Sequence, residues 1–485
     1  MSLSIRPFER NKDTGLPWLP SVPSPWNIKR AKLMLREIED RSNTGSETLL
    51  SVSQYTGVMP RKNREGGDEQ DTRSESLVGY KLVCPGDMAV NIMLAWNGSL
   101  GVSPYAGVVS PAYCVYRFWP GADPAFYHNL LRTDIYKGRI KVDSRGVVES
   151  RLRLYTENLF RLELLEPPLQ EQAAIVRFIR HLDQRVNRLI KAKRRLIEAL
   201  NEQKQAIIHR AVTRGLDPTV PLKPSGIDWL GDIPRHWNLP LLARHVCSIE
   251  QGWSPRAAEG DLLDDQWAVV SLSSVKRGRF DNRAVKPIKL DAEVPQQYEI
   301  HPGDLLLTRS NTRLLVGDAC LVEQARPHTI ISDLIYRLKL LPTLEPKFAM
   351  YWLLSPSGRY QIERDARGSS GTMPKISQQH IKSWRIPVPT LEEQTKIVAQ
   401  IDLKTRRISL GISKAEREIE LLREYRTRLV SDVVTGQLDV RHLDLPEAGE
   451  EEPVIGLADE DTGDDGEGEG GEGEVGDDEG EGEAL

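Results

Sequence analysis

The residues best equipped for chemistry in this 485-residue chain are hydrogen-bond donors and cations on short polar segments, with no constellation of nucleophile, base and acid. Arg309-Ser310-Asn311-Thr312-Arg313 follows the end of a predicted strand. Its side chains suit base edges, since a guanidinium matches guanine and a carboxamide matches adenine. Gly368-Ser369-Ser370-Gly371-Thr372-Met373-Pro374-Lys375 is a second such segment, where Ser369, Ser370, Thr372 and Lys375 sit among glycines that allow close approach to a backbone. Ser273 with Lys276, Arg277 and Arg279 sets a hydroxyl beside three cations, a composition suited to phosphate. Gln251-Gly252-Trp253-Ser254-Pro255-Arg256 adds Arg256 and a tryptophan that packs against its own domain or covers a sugar. In the first half the corresponding groups are Arg61, Lys62, Arg64 and Arg73 on a polar loop, and Asn91, Asn97 and Ser99 around Trp96. Each has a plainer reading: a solvated turn for 309–313, a linker for 368–375, a charged hairpin tip for 273–279, a core position for Trp96.

Machinery for bond-making is missing from the sequence. There is no Gly-x-x-x-x-Gly-Lys-Ser/Thr loop, Gly-x-Ser-x-Gly elbow, His-Glu-x-x-His pair or Asn/Asp-Pro-Pro-aromatic motif, so the chain is expected to be non-catalytic. Cys84, Cys114, Cys247 and Cys320 are scattered, and His245 and Cys247 lack companions at ligand spacing, which argues against a metal site and for a reducing cytoplasm. Nowhere do eighteen apolar residues run together, so neither export nor a membrane span is expected. The formal net charge of −5 misleads. Eighteen of the 70 acidic side chains lie in residues 447–485, which hold no Lys or Arg, leaving 65 basic against 52 acidic groups in residues 1–446. A basic body points moderately to a polyanionic partner.

The elements that must hold these loops are written twice. Pro167-Pro168-Leu169-Gln170-Glu171-Gln172 returns 222 positions later as Pro389-Thr390-Leu391-Glu392-Glu393-Gln394. The offset holds through Ile175/Ile397, Val176/Val398, Ile179/Ile401, Glu198/Glu420 and Val212-Thr213/Val434-Thr435 to Leu216-Asp217/Leu438-Asp439. An insertion in a helix would rotate its apolar face, so an unbroken offset marks one helical unit duplicated. Upstream, Gly15, Trp18-Leu19, Pro23 and Trp26-Asn27 return at an offset of 211 as Gly226, Trp229-Leu230, Pro234 and Trp237-Asn238, and Tyr80 with Pro85-Gly86-Asp87 answers Tyr298 with Pro302-Gly303-Asp304. The repeated tryptophans are expected to pack, because readout that differs between halves has no use for identical aromatic positions.

Pro17, Pro20, Pro23 and Pro25 predict an extended arm over 1–25. Leu33, Leu35 and Ile38 predict a short helix from Ile28 to Asp40, followed by strands at 49–53 and 79–83 around the polar loop 61–75. The second half predicts strands at 267–274 and 304–308 and a helix at 347–354, matched in the first half by 125–132. The repeated helices carry Ile175, Ile179, Leu182, Val186, Leu189, Leu196, Leu200 and Ile207, then Ile397, Ile401, Ile408, Ile412, Ala415, Ile419, Leu422 and Leu429, the seam of a coiled coil, antiparallel if a two-fold relates the halves. Thr390 to Glu393 has capping-box form, and Gly215 and Pro218 end the first helix. Lys191, Lys193, Arg194 and Arg195 form a solvated face, or one that meets phosphates or an acidic partner surface.

Two Pro-x-Leu-x-Glu-Gln copies leading into long helices, each preceded by a divergent domain with Pro-Gly-Asp, resemble the specificity subunit of a Type I restriction-modification enzyme over nearly all of residues 14–445. The resemblance implies an α+β chain with two mixed α/β target-recognition domains related by pseudo-two-fold symmetry and separated by two long antiparallel coiled-coil helices. Its boundaries here would be an extended arm at 1–25, a first recognition domain at 26–166, a spacer helix at 167–217, a linker at 218–236, a second recognition domain at 237–388, a second helix at 389–440, and an acidic, disordered tail at 441–485. Each domain would read one half of a bipartite target on double-stranded DNA, with the helices setting the unread spacer. Two modification subunits, methylating adenine with S-adenosylmethionine, would bind the helices, and restriction subunits would translocate and cut DNA with ATP and Mg, this chain itself binding no cofactor. The acidic segment after Pro446 departs from the family pattern. Two other readings compete: a coiled-coil scaffold without a nucleic-acid role, which leaves the basic body unexplained, and a self-contained DNA-modifying enzyme, which has no stretch left for a catalytic module.

Overall fold

The structure, a computed structural model, describes residues 5–61, 76–148, 151–255, 262–263, 265–289, 294–366 and 373–445. The chain divides into two compact units, Met1–Ala192 with Glu418–Leu485 and Lys193–Arg417. Most of the acidic segment, residues 446–485, lies outside the described residues.

In the first unit, β1 (Asn11–Leu16) and β2 (Leu19–Pro23) form an antiparallel hairpin, with Leu19 and Val22 buried. The segment expected as an extended arm is therefore paired over these residues, and Pro20 and Pro23 fall in a two-stranded ribbon that tolerates missing N–H groups. β3 (Asn27–Arg30) pairs with the later strand β12 (Glu163–Glu166), and a single 3-10 turn at Ala31–Leu33 leads to β4 (Leu35–Ile38). The helix predicted for Ile28 to Asp40 is thus a strand, a turn and a strand. Pairing with β12 and β11 claims its backbone groups, and Leu33, counted in the apolar stripe, is 66% exposed while Leu35 and Ile38 turn inward. There follow β5 (Leu50–Ser53), β6 (Gly57–Pro60), β7 (Lys81–Val83), β8 (Met88–Val90), β9 (Leu100–Val102), β10 (Gly107–Val109), β11 (Cys114–Phe118), helices α1 (Pro124–Leu131), α2 (Asp134–Asp143) and α3 (Thr156–Arg161), and β12 (Glu163–Glu166). The main sheet is antiparallel in the order β4-β11-β8-β9, and β5 pairs with β6 and β7 with β10. Ile38, Leu50, Val52, Val58, Val83, Ala89, Val109 and Val115 from these strands close one core. The first long helix, α4 (Leu169–Arg214), leaves from β12.

The second unit repeats the plan. The segment expected as a linker holds a hairpin of β13 (Leu222–Pro224) with β14 (Asp232–Pro234). Then come β15 (Val246–Gln251), β16 (Ala268–Val270), β17 (Val275–Lys276), β18 (Arg279–Phe280), β19 (Val285–Pro287), β20 (Leu305–Thr308), β21 (Ala319–Leu321), β22 (Thr329–Ile330) and β23 (Ile335–Leu340). The main sheet runs β15-β23-β20-β21, the same order of equivalent strands, beside a smaller sheet β19-β16-β22. Helices α5 (Pro346–Leu354), α6 (Pro356–Asp365) and α7 (Gln378–Ser383) precede the second long helix, α8 (Leu391–Val434).

Both sequence signatures turn out to be scaffolding. In Pro85-Gly86-Asp87 the glycine takes φ +91°, and the buried Asp87 carboxylate accepts from the Cys84 N–H at 2.9 Å and from Arg117 at 2.7 and 2.8 Å. In Pro302-Gly303-Asp304 the glycine takes φ +96°, and Asp304 accepts from the His301 N–H at 2.9 Å and from the buried Arg337 at 3.0 Å. Each arginine lies on the strand next to the turn, so the ion pair pins the turn to the sheet. Burial raises the cost of separating Asp304 from Arg337, because a buried charge left alone is expensive.

Pro-x-Leu-x-Glu-Gln works the same way. Gln172 and Gln394 are fully buried. Gln172 donates to the Pro167 carbonyl at 2.8 Å and accepts from the Asp123 N–H at 2.8 Å, tying the start of α4 to the start of α1. Gln394 donates to the carbonyls of Pro389 at 3.0 Å and Thr343 at 3.2 Å and accepts from the Glu345 N–H at 2.8 Å, tying α8 to α5. The capping box is half-formed. Thr390 accepts from the Glu393 N–H at 3.3 Å, but the Glu393 carboxylate is taken by the indole N–H of Trp237 at 3.1 Å and by His236 at 2.9 Å.

Trp26 and Trp237 are fully buried, each contributing about 4–6 kcal/mol by area alone. The helix end that meets each one comes from the other repeat. Gly436, after α8, stands against Trp26 and Pro23, and Gly215, after α4, stands against Trp237. Within the first unit, Arg426 of α8 makes a two-bond pair with Asp183 of α4 at 2.8 and 3.0 Å. Within the second, Leu200 faces Gly411. The predicted seam is buried at Ile175, Ile179, Leu182 and Val186, but Leu189 is 48% and Leu196 44% exposed, and Ile190 and Ile208 are buried in positions next to the expected ones. A helix of 3.6 residues per turn drifts off a seven-residue repeat unless it supercoils, which moves the buried stripe by one position.

Candidate nucleic-acid interface

In the second unit the cross-strand partners Gln251/Tyr336 and Thr308/Ile335 bring the ends of β15 and β20 and the start of β23 to one edge of the main sheet. The segments picked out by their side chains converge there. Arg309 donates its N–H to the Leu334 carbonyl at 2.7 Å, and its own carbonyl accepts from the Ile376 N–H at 3.0 Å. A backbone bridge between Ser310 and Lys375 joins the 309–313 segment to the end of the 368–375 segment. Lys375, Thr312 and Arg313 are exposed, Arg309 and Asn311 are half-buried, and Leu314 is 77% exposed. Asn311 spends its Oδ1 on the Thr312 N–H at 2.8 Å.

The loop is braced from beneath. Thr308 donates to the Leu315 carbonyl at 2.8 Å, and Arg359 of α6 donates to the carbonyls of Val316 at 2.7 Å and Leu314 at 3.3 Å. Burial pulls the Arg359 guanidinium below its usual range, with Glu363 and Asp318 acting the other way. Arg277 at φ +40° and Gly278 at φ +87° turn β17 into β18 at the same edge, and the Arg277 N–H donates to Asp318 at 2.9 Å. Burial pushes the Asp318 carboxyl up, against the pull of the Arg277 and Ala319 N–H groups. Lys276, Arg277 and Arg279 are all exposed. Burial, then the charge of Arg279, lowers the pKa of Lys204 on α4. Ser273 is exposed and shares a hydrogen bond of 2.6 Å with Ser271. Trp253 packs on the Val269, Ile288 and Ile330 core, while Gln251 donates to the Asp333 carbonyl and Ser254 bonds the Asp333 carboxylate.

The first unit treats its candidates differently. Asn91 is buried, donating to the Tyr113 hydroxyl at 3.1 Å and accepting from the Met93 N–H at 3.1 Å. Asn97 accepts from the N–H and hydroxyl of buried Ser99 at 3.2 and 2.9 Å, and Trp96 donates to the Met93 carbonyl at 3.1 Å. These groups shape the turn between β8 and β9, because that turn must satisfy its own backbone groups as it re-enters the sheet. Arg61 is exposed at the end of β6. Lys62, Arg64, Arg73, Arg256, Ser369, Ser370 and Thr372 lie outside the described residues. His245 shares a hydrogen bond with Thr343 at 2.8 Å, and Cys247 is exposed.

Sequence reasoning missed the arginines that hold the loops. Arg132, at the end of α1, donates to the carbonyls of Ser53, Gly98 and Leu100 through one nitrogen and of Gln54 and Tyr55 through another, at 2.7 to 3.2 Å. Burial lowers its pKa to about 10. Arg117 and Arg337, the partners of the two repeated aspartates, stand 220 positions apart, so the repeat itself was the signal that would have found them. No local pattern announces Arg132 or Arg359, whose carbonyl partners are distant in sequence.

The family model described as the Type I restriction modification DNA specificity domain matches residues 276–420, which takes in the β17–β18 turn, the braced 309–316 loop and the start of α8. The specificity subunit of the Type I restriction enzyme EcoEI of Escherichia coli is 25% identical over 210 residues, 43% of this chain and 35% of that one. The specificity subunit of EcoKI, from Escherichia coli strain K12, is 22% identical over 302 residues, 61% of this chain and 60% of that one. The match thus spans a third to three fifths of those relatives. A chain from a solved structure described as showing assembly and conformational transition of the type I R-M system has the same fold, with a TM-score of 0.56 and 17% identity over 85% of this chain and 98% of that one. The duplicated staples and turns are therefore the framework of a known architecture, and the chain is similar to the specificity subunits of Type I restriction-modification enzymes, with that family's DNA specificity domain over residues 276–420.

Proposed function

We propose that this chain is the DNA-reading subunit of a Type I restriction-modification complex, with each unit contacting one half of a bipartite target. The observation that carries the reading is the bridge between Ser310 and Lys375, which sets Lys375 beside the 309–313 segment, two groups chosen independently for their side chains. Arg309, Asn311 and Arg313 supply groups for base edges, and Lys276, Arg277, Arg279 and Lys375 supply cations for phosphates. α4 and α8 set the unread spacer. Contacts of residue 183 with 426 and of 200 with 411 are those expected of helices that run antiparallel. The same helices receive two modification subunits, which methylate adenine with S-adenosylmethionine, and restriction subunits join with ATP and Mg. The complex works in the cytoplasm. Among the described residues no helix is long and apolar enough to cross a membrane.

Mapping methylated adenines in the host genome with and without this gene tests the reading. Loss of one split motif is the expected result. An unchanged methylation map in a strain whose modification subunit is expressed would overturn it.

A further inference from the structure

The first unit has turned Asn91, Asn97 and Ser99 to internal use, yet its reading surface has a candidate source of cations that neither the resemblance nor the sequence motifs single out. Leu154 donates its N–H to the Ile92 carbonyl at 2.9 Å, just after Asn91. Ile376 donates to the Arg309 carbonyl in the second unit, and residues 154 and 376 stand at the 222 offset. By that equivalence Arg153 occupies the place of Lys375. Arg153 and Arg145 form an antiparallel bridge, each N–H donating to the other's carbonyl at 2.9 Å. Residues directly opposite in such a pair send their side chains to the same face, and like charges there destabilise the pairing. Arg151 follows, with its N–H on the Val148 carbonyl at 2.9 Å. Among the described residues, Arg145 and Arg151 make no ion pair. The three arginines and Tyr155, which is 49% exposed, line an open cleft of about 740 Å³. Gly146 is required at its place, because a Cβ would fall 2.5 Å from the Arg151 carbonyl oxygen.

We propose that Arg145, Arg151 and Arg153 form a phosphodiester-binding cleft, the first unit's grip on the DNA backbone. The assignment rests on the DNA-reading function proposed above and adds the residues that the first unit would use. Arg153 donates to the Leu152 carbonyl at 3.0 Å, but two guanidiniums carried on one face of a bridge remain unfavourable in the free protein and become favourable when an anion lies between them, so the arrangement stores a preference for a polyanion. Arginine suits the role because its planar fork holds phosphate oxygens through two bonds.

The test uses the full chain with its modification subunit and a mixed-sequence duplex of about four helical turns, ~42 base pairs, titrated over a range of salt. Each phosphate contact contributes about 0.9 to the slope of log K against log salt. The double variant Arg145→Ala/Arg151→Ala should lower that slope by about 2 and weaken binding at low salt at least tenfold, uniformly across sequences, whereas Arg145→Lys/Arg151→Lys should keep the slope. The free chain should show an unfolding midpoint unchanged or raised in Arg145→Ala, since a repulsive pair has been removed. A parent-like salt slope in the alanine variant overturns the cleft and leaves the DNA reading standing. So does a lowered unfolding midpoint in Arg145→Ala, which would show that these arginines hold the hairpin rather than wait for a ligand. If the parent complex itself shows no salt-dependent binding, the DNA reading falls and the cleft with it.

Discussion

Replacing Gln394 by alanine should damage the second unit more than any conservative change on its surface. The side chain is fully buried and makes three hydrogen bonds, from the Glu345 N–H and to the carbonyls of Thr343 and Pro389. Alanine leaves one buried donor and two buried acceptors unpaired, and each orphaned group costs about 1–3 kcal/mol, the carbonyls at the lower end. The sum is about 3–5 kcal/mol, which for a unit of this size lowers the unfolding midpoint by about 10 °C. Gln172→Ala removes two bonds in the equivalent place and should cost about 1 kcal/mol less. Gln394→Glu should be worse than alanine near neutral pH, because a carboxylate would face two carbonyl oxygens, and should recover part of the loss as the carboxyl protonates. Urea titration followed by near-ultraviolet dichroism, with the exposed Thr395→Ala as control, measures all four. A Gln394→Ala variant within about 0.5 kcal/mol of the parent, or one less damaged than Gln172→Ala, would refute the view that the repeated glutamine is a staple between helices.

Other expectations follow from the same contacts. Asp304→Ala takes one of two carboxylate partners from the buried Arg337, which keeps Glu250, and should cost about 2 kcal/mol by urea titration, whereas Asp87→Ala should cost about half as much because Arg117 reaches solvent. Gly436→Ala should be clearly worse than Gly215→Ala. Both carry positive φ, which alone costs about 1–2 kcal/mol, but the added Cβ would stand 2.3 Å from Pro23 in one case and 3.3 Å from Trp237 in the other. At Glu250, burial pulls the pKa up, but hydrogen bonds from Lys339 and Arg337 outweigh it and hold the carboxyl below its ordinary value. A depressed folded pKa gives stability that is full above the unfolded value and lost as pH falls through the folded one. Urea midpoints should therefore drop below about pH 4.5, and Glu250→Gln should flatten that acid limb; an unchanged limb would show that other carboxylates carry it.

The sequence by itself determined what repeats. An insertion-free offset is visible because a helix cannot absorb one without turning its buried face, and it revealed both long helices, the paired tryptophans and the two Pro-Gly-Asp turns. It also picked out Arg309 to Arg313 and Lys375 by their donors, though not that a strand bridge would join them. Tertiary structure alone decided which way polar side chains point. Asn91 and Asn97 have the composition of readers, yet the turn after β8 takes both their oxygens and Tyr113 takes the Asn91 amide. It also decided which helix end closes which unit, since Gly215 packs on Trp237 of the following repeat and Gly436 returns to Trp26 of the first. Local pattern carries neither fact. Hydrogen-bond satisfaction and close packing are settled between residues far apart in the chain, and one-dimensional spacing records only the part of that settlement that was duplicated.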